Sequence, residues 1–248
     1  MPELKKLFKL SPAIAIKYFK SKQNKLTWDW YDLWQNAHRK TFTVAKAMRE
    51  DILKDIRDSV EKALTEGKTF QEFRKELKPV LQKKGWWGEQ IIVDSQGVAE
   101  KVQLGSTYRL KTIYSVNMQT AYQTGRYKTQ IENKENRPYW QYVAVLDERT
   151  RPEHAELDGL VFPCDDPFWD TFYPPNGWRC RCRVRALSNS NIEKRNLAVD
   201  KSDGRITQEL RLVSKKSGEY KPVNVYQDPL TGRRVAPDVG WSYNPAKD

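Results

Sequence analysis

Apolar residues recur at helical spacing through "TWDWYDLWQNAHRKTFTVAKAMREDILKDIRDSVEKALTEG": Trp30, Leu33, Trp34, Ala37, Val44, Ala45, Met48, Ile52, Ile56, Val60 and Leu64. Steps of three and four predict one or two amphipathic helices of up to about 57 Å at ~1.5 Å per residue. Thr27 is the expected cap, Asp29 falls in the first turn, Gly67 follows the end, and the β-prone stretch 41–44 marks the break if there are two helices. Thr69 and Glu72 form a capping-box signature for another helix, whose apolar face is Phe70, Phe73, Leu77 and Leu81. "KKGWWGEQ" ends it, and Trp86 and Trp87, bracketed by Gly85 and Gly88, are expected to cap a neighbouring core. A third long helix is predicted over 106–132, with Leu110, Ile113, Tyr114, Met118, Ala121, Tyr122 and Gly125 on one face. Arg109, Lys111, Asn117, Gln119 and Arg126 lie on the other, which is expected to be solvated.

After "ENKENRPYW" the pattern changes. "WQYVAVLD" alternates as a strand does, and the later segments are short and punctuated by proline and turn residues. The expected fold class is α+β. A mainly helical region (1–136) precedes a small, turn-rich, β-containing Cys/His module (137–188), and an extended, turn-rich segment (189–248) packs on that module or trails it. Asp228, Pro229 and Gly232 mark a turn in that last segment.

Composition narrows the function classes. The 248 residues carry 44 Lys plus Arg against 32 Asp plus Glu, a net charge of +12, which favours polyanionic or acidic partners and salt-sensitive association. No run approaches the ~18 apolar residues of a spanning helix, and lysines interrupt what would be a signal core in "MPELKKLFKLSPAIAIKYFK". A cytoplasmic protein without a membrane segment is expected. There is no internal repeat, Gly-rich phosphate loop or Ser, His, Asp constellation, and His38 and His154 are the only histidines. Imidazole catalysis therefore has few candidates.

The three cysteines, Cys164, Cys180 and Cys182, lie in one short region, which suits metal binding or free thiols better than a secreted disulfide framework. If 178–185 is a strand, Trp178, Cys180, Cys182 and Val184 share one face, and Arg179, Arg181, Arg183 and Arg185 the other. A Cys180–Cys182 disulfide is disfavoured, because the two Cβ vectors run nearly parallel. Two thiolates on one face can bind a soft cation, and with Cys164 and His154 they would complete a closed structural zinc site; inert core thiols and redox chemistry are the alternatives. The arginine face needs an answer either from carboxylates in "LDERTRPEHAELDG" or from an outside polyanion.

The block "DERTRPEHAELDGLVFPCDDPFWDTFYPPNGWRCRCRV" is similar to the phage Mu protein F-like family of minor head, or head morphogenesis, proteins. "SPAIAIKYFKSK", "HRKTFTVAK", "GWWG", "VNMQTAYQTGR" and "VGWSYNP" extend the resemblance over nearly the full length. The matching positions are Asp147, Arg149, Arg151, His154, Asp158, Gly159, Trp169, Pro174, Pro175, Asn176, Gly177, Cys180, Arg181 and Cys182. The family pattern fixes no cysteine where Cys164 stands, so the resemblance makes His154, Cys180 and Cys182 the core of a metal site that Asp158 or Asp165 would complete. It implies a virion protein of the head, present in the host cytoplasm during assembly, with portal or capsid partners and non-specific contact with packaged DNA. Some relatives carry toxin or nuclease domains after this region; the match runs to the end of the sequence, so no active site and no catalytic residue is expected. Two other readings remain: a metal-dependent hydrolase or nuclease using His154 with Asp147, Glu153 or Asp158, and a sequence-independent nucleic-acid-binding protein.

Overall fold

The computed structural model describes residues 12–93 and 99–247; most of the lysine-interrupted amino-terminal stretch lies outside them. In chain order come α1 (Pro12–Lys20), β1 (Gln23–Asn24), α2 (Ala37–Lys40), β2 (Thr41–Phe42), α3 (Glu50–Glu66), α4 (Phe70–Lys83), β3 (Glu89–Val93), β4 (Ala99–Gln103) and α5 (Thr107–Glu132). They are followed by β5 (Tyr139–Val143), α6 (Pro152–Glu156), β6 (Val161–Pro163), α7 (Phe168–Phe172), β7 (Arg183–Leu187), α8 (Asn189–Arg195), β8 (Ile206–Ser214), β9 (Glu219–Gln227) and β10 (Arg234–Val235). The class is α+β, helical first and with most strands later. The small sheets are β1-β2, β3-β4, β6-β5-β7 and β10-β9-β8.

The helix signals of α3, α4 and α5 are realised. The α3 helix buries Ile52, Leu53, Ile56, Val60, Ala63 and Leu64 and stops at Gly67, whose φ of 68° is the left-handed cap that glycine adopts without a Cβ penalty. Thr69 and Glu72 close the capping box on α4, and Ser106 caps α5 by accepting from the Arg109 amide at 3.1 Å. Residues 27–36 contradict the helix expected from Thr27. There the Asp32 carboxylate accepts from the amides of Trp28 and Asp29 at 2.8 and 2.9 Å and folds the chain into turns, and Gln35 and Lys46 take positive φ. Thr27 caps no helix; its hydroxyl meets that of Thr43 at 2.6 Å. The tryptophans supplied helical spacing, but local side-chain bonds to the backbone won.

Two main apolar cores result. The first joins α1, α3, α4, the front of α5 and Trp86, which is 2% exposed and donates its indole N–H to Lys46 O at 2.9 Å. Trp86 thus caps the core, as the sequence suggests. The second is aromatic: Trp140, Phe162, Phe168, Trp169, Phe172, Tyr173 and Tyr226 are all buried, with Phe162 stacked on Phe168 at 4.2 Å. Each such ring contributes about 1.5–3 kcal/mol on burial, so ring packing, not strand length, holds these short elements. Tyr127 and Ile131 near the end of α5 pack against this second core.

Candidate metal centre and arginine cleft

Three local devices bring His154, Cys180 and Cys182 together. Pro152 opens α6 at a position where its missing N–H costs nothing, which places His154 on the buried side of a five-residue helix. The stretch 174–180 then turns the chain toward it. Its Pro174–Pro175 bond is cis, Asn176 accepts the Tyr142 hydroxyl at 2.9 Å, the Cys180 amide donates to Gly177 O at 3.1 Å, and Arg179 sits at φ 58°. A Cβ at Gly177 would collide with the Asp238 carboxylate, which would have to move from its place beside Arg151. The third device is α5. Gln119 and Gln123, one turn apart, both donate to Cys182 O, at 3.0 and 2.9 Å, and Gln130 donates to Val184 O at 3.1 Å.

The strand expected over 178–185 begins only at Arg183; 177–180 is a turn, and Trp178 is 39% exposed instead of sharing the thiol face. It packs edge-on against Trp30 and Trp241. From Cys180 onward the alternation holds, with Cys180, Cys182 and Val184 buried and Arg181 and Arg183 turned away.

One nitrogen of His154 and the two sulfurs all lie within 4.8 Å of one another, and all three residues are buried. Cys182 Sγ is 3.6 Å from His154 Nδ1, and His154 Nε2 is buried with no hydrogen-bond partner. Burial pushes the Cys180 thiol well up, while Cys182, taking a hydrogen bond from Cys180, is held below the ordinary thiol value against the effect of burial. Burial acts to lower the His154 pKa, and the Cys180 contact outweighs it and raises it. These three residues could hold a metal ion. Cys164 is not in the group; half-buried, it donates its amide to Pro138 O at 2.8 Å. No carboxylate is in the group either: Asp158 accepts the Ala144 amide at 2.7 Å, and Asp165 stands beside Cys164.

The other motif positions hold the surrounding frame. Asp147 accepts a fork from Arg181, with Nη1 to Oδ2 at 2.6 Å, and this guanidinium holds its carboxyl far below the usual range. One carboxylate of the same block, Asp147, thus answers one arginine of that face, Arg181. Arg151 pairs with Asp238 at 3.0 Å and donates to Trp178 O. Arg149 is exposed, and its carboxylate neighbour is Asp147 at 3.5 Å. Gly159 turns at φ 87°, and Trp169 donates to Pro163 O at 2.9 Å. Of the carboxylates named in the hydrolase reading, Asp147 is forked to Arg181 and Asp158 accepts an amide, while His154 faces sulfur.

The polar face of α5 is not the solvated one expected. Gln119 is buried, and Arg109 is spent on the carbonyls of Gln103, Leu104 and Ala45. The glutamine row at 119, 123 and 130 escaped sequence reading. Its signal is the spacing of four and seven that puts three amides on one stripe of a helix. In front of this stripe a cleft of about 1450 Å³ opens between α5, the 145–151 loop and the 178–183 ribbon.

The sequence profile described as "Phage Mu protein F like protein" matches residues 54–185. The chain belongs to this family. It is 50% identical over 242 residues to the putative capsid assembly protein F of Escherichia phage Mu, an alignment covering 96% of this chain and 54% of that protein. It is 42% identical over 221 residues to the Mu-like prophage FluMu F protein of Haemophilus influenzae, covering 88% and 52% respectively. The chain thus spans about half the length of these curated relatives. No solved structure matches it. The matched region takes in α5, His154 and both ribbon cysteines. No helix among the described residues is long and apolar enough to cross a membrane.

Proposed function

We propose that this Mu F-like chain is a non-enzymatic component of the phage head, working in head morphogenesis at the portal or the capsid interior, with sequence-independent contact to packaged DNA. Family membership carries the reading, together with half-identity to a protein named for capsid assembly. The net charge of +12 supports DNA proximity, since a basic surface associates with a polyanion without reading sequence. In this reading the chain divides near Asn136. The helical part supplies docking surfaces, and the module beyond is fastened by one structural zinc on His154, Cys180 and Cys182. Zinc suits two thiolates and an imidazole better than harder cations do. Ligation would add folding energy to a module built on very short strands. The 3.6 Å between Cys182 Sγ and His154 Nδ1 also equals the edge of a tetrahedron with Zn–S of about 2.3 Å and Zn–N of about 2.0–2.1 Å, about 3.6 Å.

The test is quantitative mass spectrometry of purified heads and proheads made with and without the gene. A head protein copurifies with at least one of the two particles, and its loss lowers the yield of filled heads. Absence from both particles, with normal head yield, would remove the reading.

A further inference from the structure

Arg126 and Arg183 are the unusual pair in the cleft. Arg126 lies on the same stripe of α5 as Gln119, Gln123 and Gln130, and Arg183 opens β7 opposite. Among the described residues neither guanidinium is in an ion pair, and Arg126 Nε is buried without a hydrogen-bond partner. Both side chains line the one cleft, and burial, with the charge of Arg183 adding to it, holds the Arg126 pKa below the usual arginine value. Holding two guanidiniums together without an anion is unfavourable, and guanidiniums prefer forked carboxylates or phosphates. The same cleft already contains that fork once, in Arg181 and Asp147.

Seven arginines and two lysines line the cleft against one carboxylate, Asp147. Its volume exceeds the roughly 300–1,000 Å³ of a small-molecule site, which points to a stretch of polymer. Val44, Ile113 and Val116 form apolar wall between the charges. Most rim cations are engaged: Arg181 with Asp147, Arg151 with Asp238, Arg179 with the Thr112 hydroxyl at 2.7 Å. A nucleic-acid backbone needs a continuous track of available cations. Here the unanswered pair includes Arg126, whose Nε is buried, and a carboxylate on a thin aliphatic stem reaches such a group more readily than a phosphate flanked by sugars.

We infer that the cleft between α5 and the 178–183 ribbon takes an acidic peptide segment of a partner protein, one of whose carboxylates is gripped by Arg126 and Arg183. This rests on the head-assembly reading only for where the partner is found; the binding itself belongs to the isolated chain. The probe is a fluorescein-labelled oligoglutamate peptide with interspersed leucines, titrated by anisotropy at ~0.15 M salt. The expected result is saturable binding, weakened about tenfold or more by Arg126→Gln with Arg183→Gln, and unchanged by Lys62→Gln on the outer surface of α3. If the double variant has lost its native circular dichroism, Arg183→Gln alone decides, since its guanidinium is only part-buried: weaker binding supports the cleft. Absence of peptide binding, or binding indifferent to these arginines, overturns it. So does tighter, Arg126-dependent binding of a single-stranded or duplex oligonucleotide. Head proteomics is independent of this titration, so either reading can fail alone.

Discussion

Gln123 Nε2 donates to the main-chain oxygen of Cys182 at 2.9 Å, and Gln119 Nε2 reaches the same oxygen at 3.0 Å. Two turns of one helix therefore converge on a single carbonyl of the thiol-bearing ribbon. An extended segment between a turn and a strand has few ladder partners of its own, and α5 supplies them. Removing one glutamine leaves the oxygen bonded to the other, whereas removing both leaves it buried and unpaired, at about 1–3 kcal/mol. We expect Gln119→Ala with Gln123→Ala to lower stability by more than the sum of the single changes. A double-mutant cycle in urea checks this, and strict additivity would show that the shared oxygen does not couple them.

Gly105 is a second point where geometry leaves no choice. A Cβ there would collide with the Trp86 carbonyl oxygen and come within 2.7 Å of Trp87 Cε3. The β3–β4 hairpin closes against this spot, where Gly88 N–H donates to Gly105 O at 2.8 Å. Gly105→Ala should destabilise by about 1–3 kcal/mol through overpacking, read as a shift in the thermal midpoint with the helical circular dichroism retained.

A pH dependence follows from Lys22 and His38, which are in contact. Burial pulls His38 down to about 4, with the Lys22 charge adding to it, and burial pulls Lys22 down to about 7, with Arg57 adding to it. Lys22 donates to the His38 carbonyl and His38 Nε2 contacts Leu33 O at 3.1 Å. In both residues the unfolded chain takes up its proton first as pH falls. The contribution of His38 is therefore full above about pH 6.5 and is lost between there and pH 4, while that of Lys22 is lost between about 10.5 and 7. His38→Gln should remove from the acid limb a share on the order of 1–3 kcal/mol. Urea midpoints across pH 4 to 7 for both proteins measure it, and parallel curves would contradict it.

Much of this was legible in the sequence. Periodicity located α3 and α4 because each buries one stripe, and α5 by its apolar stripe although its polar face is covered too; Thr69, Ser106 and Gly67 marked their ends as their chemistry requires. Residues 27–36 misled because Trp30, Leu33 and Trp34 fell at helical spacing in a segment that Asp32 bends into turns; spacing cannot report a side chain bonding its own backbone. At the site, alternation placed both thiols on one side, yet the turn at Arg179 took Trp178 out of the row. Cys164 was close in sequence and is held elsewhere by Pro138. Of the glutamines that seat the ribbon, Gln119 was expected to face solvent and Gln123 and Gln130 were passed over, because helix polarity alone does not reveal that a second module covers that face.

The most direct measurement is the metal content of protein purified without chelator, by elemental mass spectrometry, for the native chain and single Cys→Ser variants. The expected result is about one zinc per chain, lost together with thermal stability in Cys180→Ser and Cys182→Ser and retained in Cys164→Ser. A metal-free native chain that keeps its full thermal midpoint, indifferent to added zinc and to chelator, would show that His154, Cys180 and Cys182 are core residues only.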